Sequence, residues 1–448
     1  MLNGPVHRVC DFVLAFRFED APTEVTTQAR RFLLDTLITA AAGTRTDAAR
    51  RVRRHALRLY EGGGSMGARL VFDGRRLPPS IAAATAAGTI DSLDAHDGHA
   101  LTKGHAGVAV VPATLAAVDA AAADVTLGTF LARVVVGYEV ALRAGIALHR
   151  LAPEFHTSGA WNSLGAAAAA APLPGLDREA LASALGLAEF DAPRGSMMRV
   201  VDSPSMLKDG SRSGARVGLD AAYAARDGFF ARVPEIIESP EAADLWSDLG
   251  SRWRIGEQYM KPYPVCRWSQ PALEAAARLR PRLDPAKIER IDVATFEPAV
   301  RLGGYRPETG DQAQYALAYP LAAYLCRGRL GADELAGPAL QNAEVLAMAD
   351  RVNLCVTPDL DQLFPAERWC RLRITTSDGQ TFESGDTHTR GDPDTPLTDA
   401  EIRRKADTLA VRGATDRIEA LADVVLEGAS DDPIGGLLER VLAPLDPH

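Results

Sequence analysis

Along residues 1–260 the apolar positions recur every three or four residues, the period of a helix face, and long stretches admit no polar interruption at all. VTTQARRFLLDTLITAAAG (25–43) begins on threonines and stops at a glycine, the start and stop chemistry of an amphipathic helix. PPSIAAATAAGTI (78–90), VVPATLAAVDAAAA (110–123), LGTFLARVVVGYEVALRAGIAL (127–148) and WNSLGAAAAAAPL (161–173) are richer still in Ala, Val and Leu. Helices apolar all round are buried ones, and their small side chains allow close approach, so these segments predict a compact bundle with central helices. DREALASALGLA (177–188) and SRSGARVGLDAAYAARDG (211–228) predict two further amphipathic helices. GARLVFDGRRLPP (67–79), with Asp73-Gly74 between apolar arms, is the one strand-like excursion.

The pattern changes at MKPYPVCRWSQP (260–271). A helix (272–281), a strand (287–297), an irregular stretch with Gly303, Gly304 and Pro307, and helices at 315–328 and 342–352 follow. RWCRLRITTSDGQTFES (368–384) alternates with period two on either side of Asp378-Gly379, a hairpin. Thr398, ahead of DAEIRRKADTLA, is a helix N-cap. The expected architecture is mainly α with a smaller α+β domain: an all-helical bundle over 1–262, an α+β lid over 263–395, and C-terminal helices over 396–448 returning to the bundle.

The 448 residues are 47% hydrophobic and 24% charged, ordinary for a soluble globular chain, and carry a formal charge of −10. That charge excludes a nucleic-acid or anionic-membrane surface, which needs a basic face, but leaves room for an acidic small molecule in a local basic cluster. Five cysteines (Cys10, Cys266, Cys326, Cys355, Cys370) lack any C-x-x-C spacing, as expected of reduced thiols in a cytoplasmic protein. The N-terminal apolar run contains charges, so it predicts an amphipathic helix rather than a signal peptide. No glycine-rich nucleotide loop and no G-x-S-x-G elbow occurs.

Candidate chemistry gathers in five places. Asp91-Ser-Leu-Asp-Ala-His-Asp-Gly-His-Ala-Leu-Thr-Lys-Gly-His105 holds three histidines and three aspartates within fifteen residues between two helices. His96, His99 and His105 with Asp94 and Asp97 admit a metal site, an acid/base or substrate-binding centre, or a polar surface loop. His156 precedes the helix at 161, where Thr157 or Ser158 also suits a plain N-cap. Lys208 lies in a Gly/Ser loop suited to holding a carboxylate or phosphate. Lys261 and Arg267 stand at the domain boundary, where they would line an interdomain cleft. Tyr315 and Tyr319, four apart, would share a helix face that is ordinarily core.

In this order the segments resemble the MmgE/PrpD family over nearly the whole chain, from LLDTLITAAAG through the Asp94–His105 block, FHTSGAWNSLGAAAAAA, the Lys208 loop, MKPYPVCRWSQPALEA and AQYALAYPLA to PLTDAEIRRKADTLA. The resemblance implies a homodimer and a metal-free, coenzyme-free site between helical and lid domains. It implies catalytic roles for Asp94, His105, His156, Lys208 and Tyr319, with Asp94 orienting His105, and substrate binding by Lys261, Arg267, His96 and Gln270. The implied substrate is a small di- or tricarboxylic acid, activated by proton abstraction next to a carboxylate. A dehydratase acting on a 2-methylcitrate-like hydroxy acid is the first reading. An epimerase of an amino- or imino-dicarboxylate such as iminodisuccinate and a non-catalytic carboxylate-binding member are the alternatives. Two departures mark this chain: Asp94-Ala-His-Asp-Gly-His99 stands where the family usually reads Asp-Phe-Asp-Asp-Thr/Ser-His, and Gln270 stands where a histidine is common. The missing acid at 270 shifts weight from dehydration towards reactions in which nothing leaves as hydroxide.

Overall fold

The computed structural model describes residues 4–60, 67–121, 125–171, 175–409, 411 and 415–445. The helical domain is built from α1 (Pro5–Ala15), α2 (Thr23–Gly43), α3 (Asp47–Tyr60), α4 (Pro79–Asp91), α5 (Gly107–Ala121), α6 (Leu127–Leu151), α7 (Gly159–Ala170), α8 (Arg178–Phe190), the short α9 (Met198–Asp202) and α10 (Ser211–Arg226). Every residue of α7 is buried, because α5, α6, α8 and α10 all pack against it. Small residues make that arrangement fit. A Cβ on Gly137 of α6 would stand 2.4 Å from Val110 Cγ1 and 2.9 Å from Ala169 Cβ, so only hydrogen lets three helices meet there.

The strand-like excursion forms a minimal antiparallel ribbon, β1 (Ala68–Arg69) against β2 (Arg76–Leu77). A second small ladder has more bearing on the site. β3 (Gly98–His99) pairs with β4 (Gln258–Tyr259), tying the α4–α5 connection to the segment that leads out of the bundle.

The smaller domain carries a four-stranded sheet in the order β6-β5-β7-β8: β5 (Ile288–Thr295), β6 (Val352–Val356), β7 (Cys370–Thr376) and β8 (Thr381–Glu383). β5 runs parallel to β6 and antiparallel to β7, and β7–β8 is the hairpin turning at Asp378-Gly379. Cys370, Leu372 and Ile374 alternate inward on β7, the period-two burial their spacing predicts. Helices Gln270–Leu279, Ala318–Arg327 and Ala343–Ala349 bury their apolar faces in the same core.

The molecule is mainly α with a smaller α+β domain, and it has two hydrophobic cores. One gathers residues between Val6 and Met260 together with Leu397–Leu442 side chains; the other gathers residues between Tyr263 and Ile374. The returning helix Asp399–Thr408 starts on Thr398, whose hydroxyl accepts from the Glu401 N–H while the Glu401 carboxylate accepts from the Thr398 N–H. Its Lys405 ammonium is buried between the Asp35 carboxylate and the Ala95 carbonyl, directly beneath the α4–α5 connection. Among the described residues no helix is long and apolar enough to cross a membrane.

One expected element divides. The tyrosines at 315 and 319 do not share a helix face. Tyr315 caps the short helix Gly310–Gln314, and a new helix starts at Ala318. The Ala318 and Tyr319 N–H groups donate to the Gly303 and Gly304 carbonyls, so the two rings leave the backbone in different directions.

Candidate active site

The α4–α5 connection is an interior segment, which overturns its reading as a surface loop. Asp94, His96, Asp97, His99, Thr102 and His105 are all buried. The reason lies in its ends: α4 and α5 are covered almost completely, so the chain between them stays inside except near its tip, where Leu101 is exposed and Ala100 and Lys103 are partly buried. Its backbone groups are satisfied internally. The His99 N–H donates to the Gly104 carbonyl, and the His105 N–H donates to the Ser158 hydroxyl at 2.8 Å.

At the centre, the Lys261 ammonium donates to Asp94 Oδ1 at 2.7 Å and to the Asp94 carbonyl at 3.2 Å. His105 is oriented by the main-chain carbonyl of Asp97 and not, as expected, by the Asp94 carboxylate. A carbonyl can only accept, so Nδ1 carries the proton and Nε2 keeps its lone pair. Burial pushes the imidazole down to about 4, with the Lys261 charge adding to the shift and Asp94 opposing it. His105 is therefore a neutral base at pH 7. His96 packs edge-on to it, ring centroids 4.4 Å apart, with both nitrogens buried and without hydrogen-bond partners. Burial, then the neighbouring His105 imidazole, holds His96 well below its ordinary value, while burial raises Asp91, 3.6 Å away. Both shifts favour neutral forms, so His96 and Asp91 are not an ion pair.

Asp94, His105, Lys261 and Arg267 line one cleft between the domains, together with Lys103, Asp209, Tyr259, Tyr315 and Arg368. Asp209 receives the Ser158 hydroxyl, which is thereby no helix cap, and burial pushes its carboxyl up to about 6. Asp97 receives the Tyr138 hydroxyl and is pushed up to about 7 by burial. Asp94, Lys103 and Lys208 adopt φ of 51°, 51° and 47°, three of the four left-handed non-glycine residues among those described. Strain of this kind, of order 1–3 kcal/mol per residue, persists where packing imposes it and gathers at functional sites.

Five expected residues do not line the cleft. His96, expected to bind substrate, is fully buried beside His105 and has no face on the cleft. Lys208 is buried one layer behind Tyr315, its ammonium on Gln314 Oε1 at 2.6 Å and Asp311 Oδ1 at 2.8 Å, so the lid already satisfies its charge. His156 does not line the cleft; its ring stacks on His149 at 6.4 Å and its N–H donates to His149 Nε2. Gln270 is fully buried and turned away, its amide donating to the Tyr263 and Val265 carbonyls at 2.8 and 2.9 Å. A side chain spent on backbone cannot also bind substrate, so its replacement of a histidine says nothing about a leaving group. Tyr319 is buried in the lid core, its hydroxyl donating to the Glu334 and Ala339 carbonyls. Tyr315 takes the place expected of it in the cleft. Pro320 was the available signal: proline fits the first turn of a helix and marks a start near 318 rather than at Tyr315. Asp209 adjoins the singled-out Lys208, whereas nothing in the local pattern marks Tyr259 or Arg368.

Gly98, part of the first departure, makes room for Tyr259. A Cβ there would stand 2.5 Å from the Tyr259 hydroxyl and 2.9 Å from His105 Nδ1. The ligand atoms of Asp94, His96 and His105 lie within 4.8 Å of one another, close enough to hold a cation. The Lys261 ammonium already balances Asp94, and the Lys208 and Lys405 charges also bear on His96, so a cation entering here would work against three lysines.

Comparison with known proteins finds two family matches in succession along the chain. Residues 7–248 match the MmgE/PrpD N-terminal domain and residues 263–427 the MmgE/PrpD C-terminal domain. The cis-aconitate decarboxylase-like protein oryM of Aspergillus oryzae is 26% identical over an alignment of 481 positions, covering 98% of this chain and 97% of that protein. A cis-aconitate decarboxylase of Aspergillus terreus is 24% identical, covering 99% and 97%. With both domains matched in order and nearly the full length aligned, the chain belongs to the MmgE/PrpD family.

Proposed function

We propose that the protein is a coenzyme-independent lyase that generates a carbanion next to a carboxylate of a small di- or tricarboxylic acid. The observation that carries this reading is His105, a neutral imidazole with a free Nε2, in a cleft that also presents Lys261 and Arg267. A carbon acid beside a carboxylate needs a base for its proton and fixed positive charge for the enediolate-like oxygen atoms that develop. Lys261 supplies the charge next to the base.

Dehydration uses this arrangement directly: His105 takes the proton, the electron pair forms the alkene, and hydroxide leaves with a proton from a neighbouring acid. Decarboxylation of an unsaturated tricarboxylate is the second reading, favoured by the names of the relatives. There the C–C bond breaks first, carbon dioxide leaves, and the delocalised carbanion collects a proton. Epimerisation needs a proton carrier on each face, and the carrier expected at Tyr319 is absent from the cleft.

The test incubates the protein with 2-methylcitrate, citrate and cis-aconitate in heavy water and follows the carbon-bound protons by NMR. Alkene formation marks dehydration, and loss of carbon dioxide with one deuterium taken up marks decarboxylation. Exchange without alkene or carbon dioxide would remove the lyase reading, and silence towards every acid would remove the carbon-acid reading. The homodimer implied by the resemblance is proposed separately, and the mass of the protein in solution tests it.

A further inference from the structure

Opposite His105, the cleft contains cationic groups that the protein itself leaves unsatisfied. Arg267 is 5% exposed, yet its Nε and Nη1 are buried with no hydrogen-bond acceptor; only its Nη2 is paired, with Asp392. Its guanidinium lies 4.5 Å over the ring of Tyr259, which fixes its plane. Arg368, half-buried in the same wall, also has a buried Nε without an acceptor, and its plane rests on Phe364. Lys103 lies close enough for the Arg368 charge to lower its proton affinity, after burial itself. Of these three cations only Arg267 has a carboxylate partner among the described residues, Asp392, while Lys261 beside His105 is already matched by Asp94. Buried N–H donors without acceptors are costly, and a planar carboxylate is the group that satisfies guanidinium edges.

We propose that Arg267 and Arg368 form a carboxylate-binding subsite remote from the reacting carbon, and that Arg368 selects acids bearing a second carboxylate. The proposal rests on the carbon-acid reading of the cleft and adds what that reading leaves open: where the non-reacting end of the substrate goes. Arg368 is a binding residue here, and takes no proton. The reacting carboxylate lies against Lys261, and the second one replaces the missing acceptors of Arg267 and Arg368. Tyr259 holds the geometry from below, in the space that Gly98 vacates.

The experiment measures binding, so it does not depend on turnover. Calorimetric titration of the full-length protein with succinate and monomethyl succinate compares one four-carbon diacid skeleton with and without the second charge, and tricarballylate adds a third carboxylate. Succinate is expected to bind at least about tenfold more tightly than its monomethyl ester, the effect of one charge-assisted bidentate contact. Arg368→Gln is expected to lower that ratio several-fold, with Arg267 holding what remains, and Arg368→Lys to restore part of the loss. The wild-type ratio needs no variant, so a misfolded Arg368→Gln leaves the proposal testable. A wild-type ratio near one, or a ratio that Arg368→Gln leaves unchanged, overturns the subsite and leaves the carbon-acid reading standing. Absence of binding by all three acids overturns both.

Discussion

His105 owes its character to a main-chain carbonyl that sets its tautomer and to burial, which with the Lys261 charge beside it keeps the ring neutral. Because its proton affinity is pushed down to about 4, the base stays unprotonated until the pH falls that far. The acidic limb of kcat/KM for the free protein is therefore expected near 4 rather than near the ~6.5 of an ordinary histidine. A pH–rate profile checks this; a limb near 6.5 would mean that another group is the base. His105→Gln is expected to lower kcat by roughly 10²–10⁴-fold, the usual contribution of a general base, while titration still detects bound acid. Gln270 makes the opposite case at the same scale. Gln270→Glu would set a carboxylate against two carbonyl oxygens, costing roughly 3 kcal/mol or more. Urea unfolding is the measurement, and unchanged stability would show that the amide is not structural.

Helices meet in this protein where side chains are absent. At the α5–α6–α7 junction, Gly137→Ala would drive a methyl into Val110 and Ala169, and the expected cost is about 1–3 kcal/mol of stability with little effect on the cleft chemistry. A lower urea midpoint with unchanged KM confirms it; a variant as stable as the wild type would mean that the helices separate easily. The lid shows how a small change in an element redirects chemistry. Periodicity over 311–327 is equally consistent with one helix or two, because the apolar spacing continues through the break. The break is set by the Gly303 and Gly304 carbonyls, which capture the N–H groups that a continuous helix would use internally. As a result Tyr315 faces the cleft and Tyr319 the core.

Across the whole molecule, the two domains are joined through buried charge. Lys208 of the helical domain is held by Asp311 and Gln314 of the lid, and Gln314 also donates to the Ser92 carbonyl at the end of α4. Asp311→Asn removes the anion and leaves a buried ammonium with amides alone, a change worth about 3–5 kcal/mol when such a pair is fully buried. Hydrogen exchange is expected to quicken in the helix Gly310–Gln314 and at the start of α10, with β7 unaffected. Uniform exchange across both domains would show that Lys208 is not what holds them together.

The sequence by itself determined most classes of element and their order, because helix and strand periods are local properties, but not the edge strand β6 or the break before Ala318. Helical domain, hairpin, capping Thr398 and the return to helices were all legible there, as were Asp94, His105, Lys261 and Arg267 as cleft residues. Local pattern cannot say where a side chain points once the chain turns, nor what stands opposite it. Only the tertiary structure decided that Tyr319, Gln270 and His156 turn away from the cleft, that Lys208 is already paired, and that Tyr259, Tyr315 and Arg368 complete the site. The physical reason is that each orientation is fixed by groups far off in the chain. Lys261 reaches Asp94 across 167 residues, Lys405 reaches Asp35 across 370, and burial among such partners, rather than residue type, makes His105 a base.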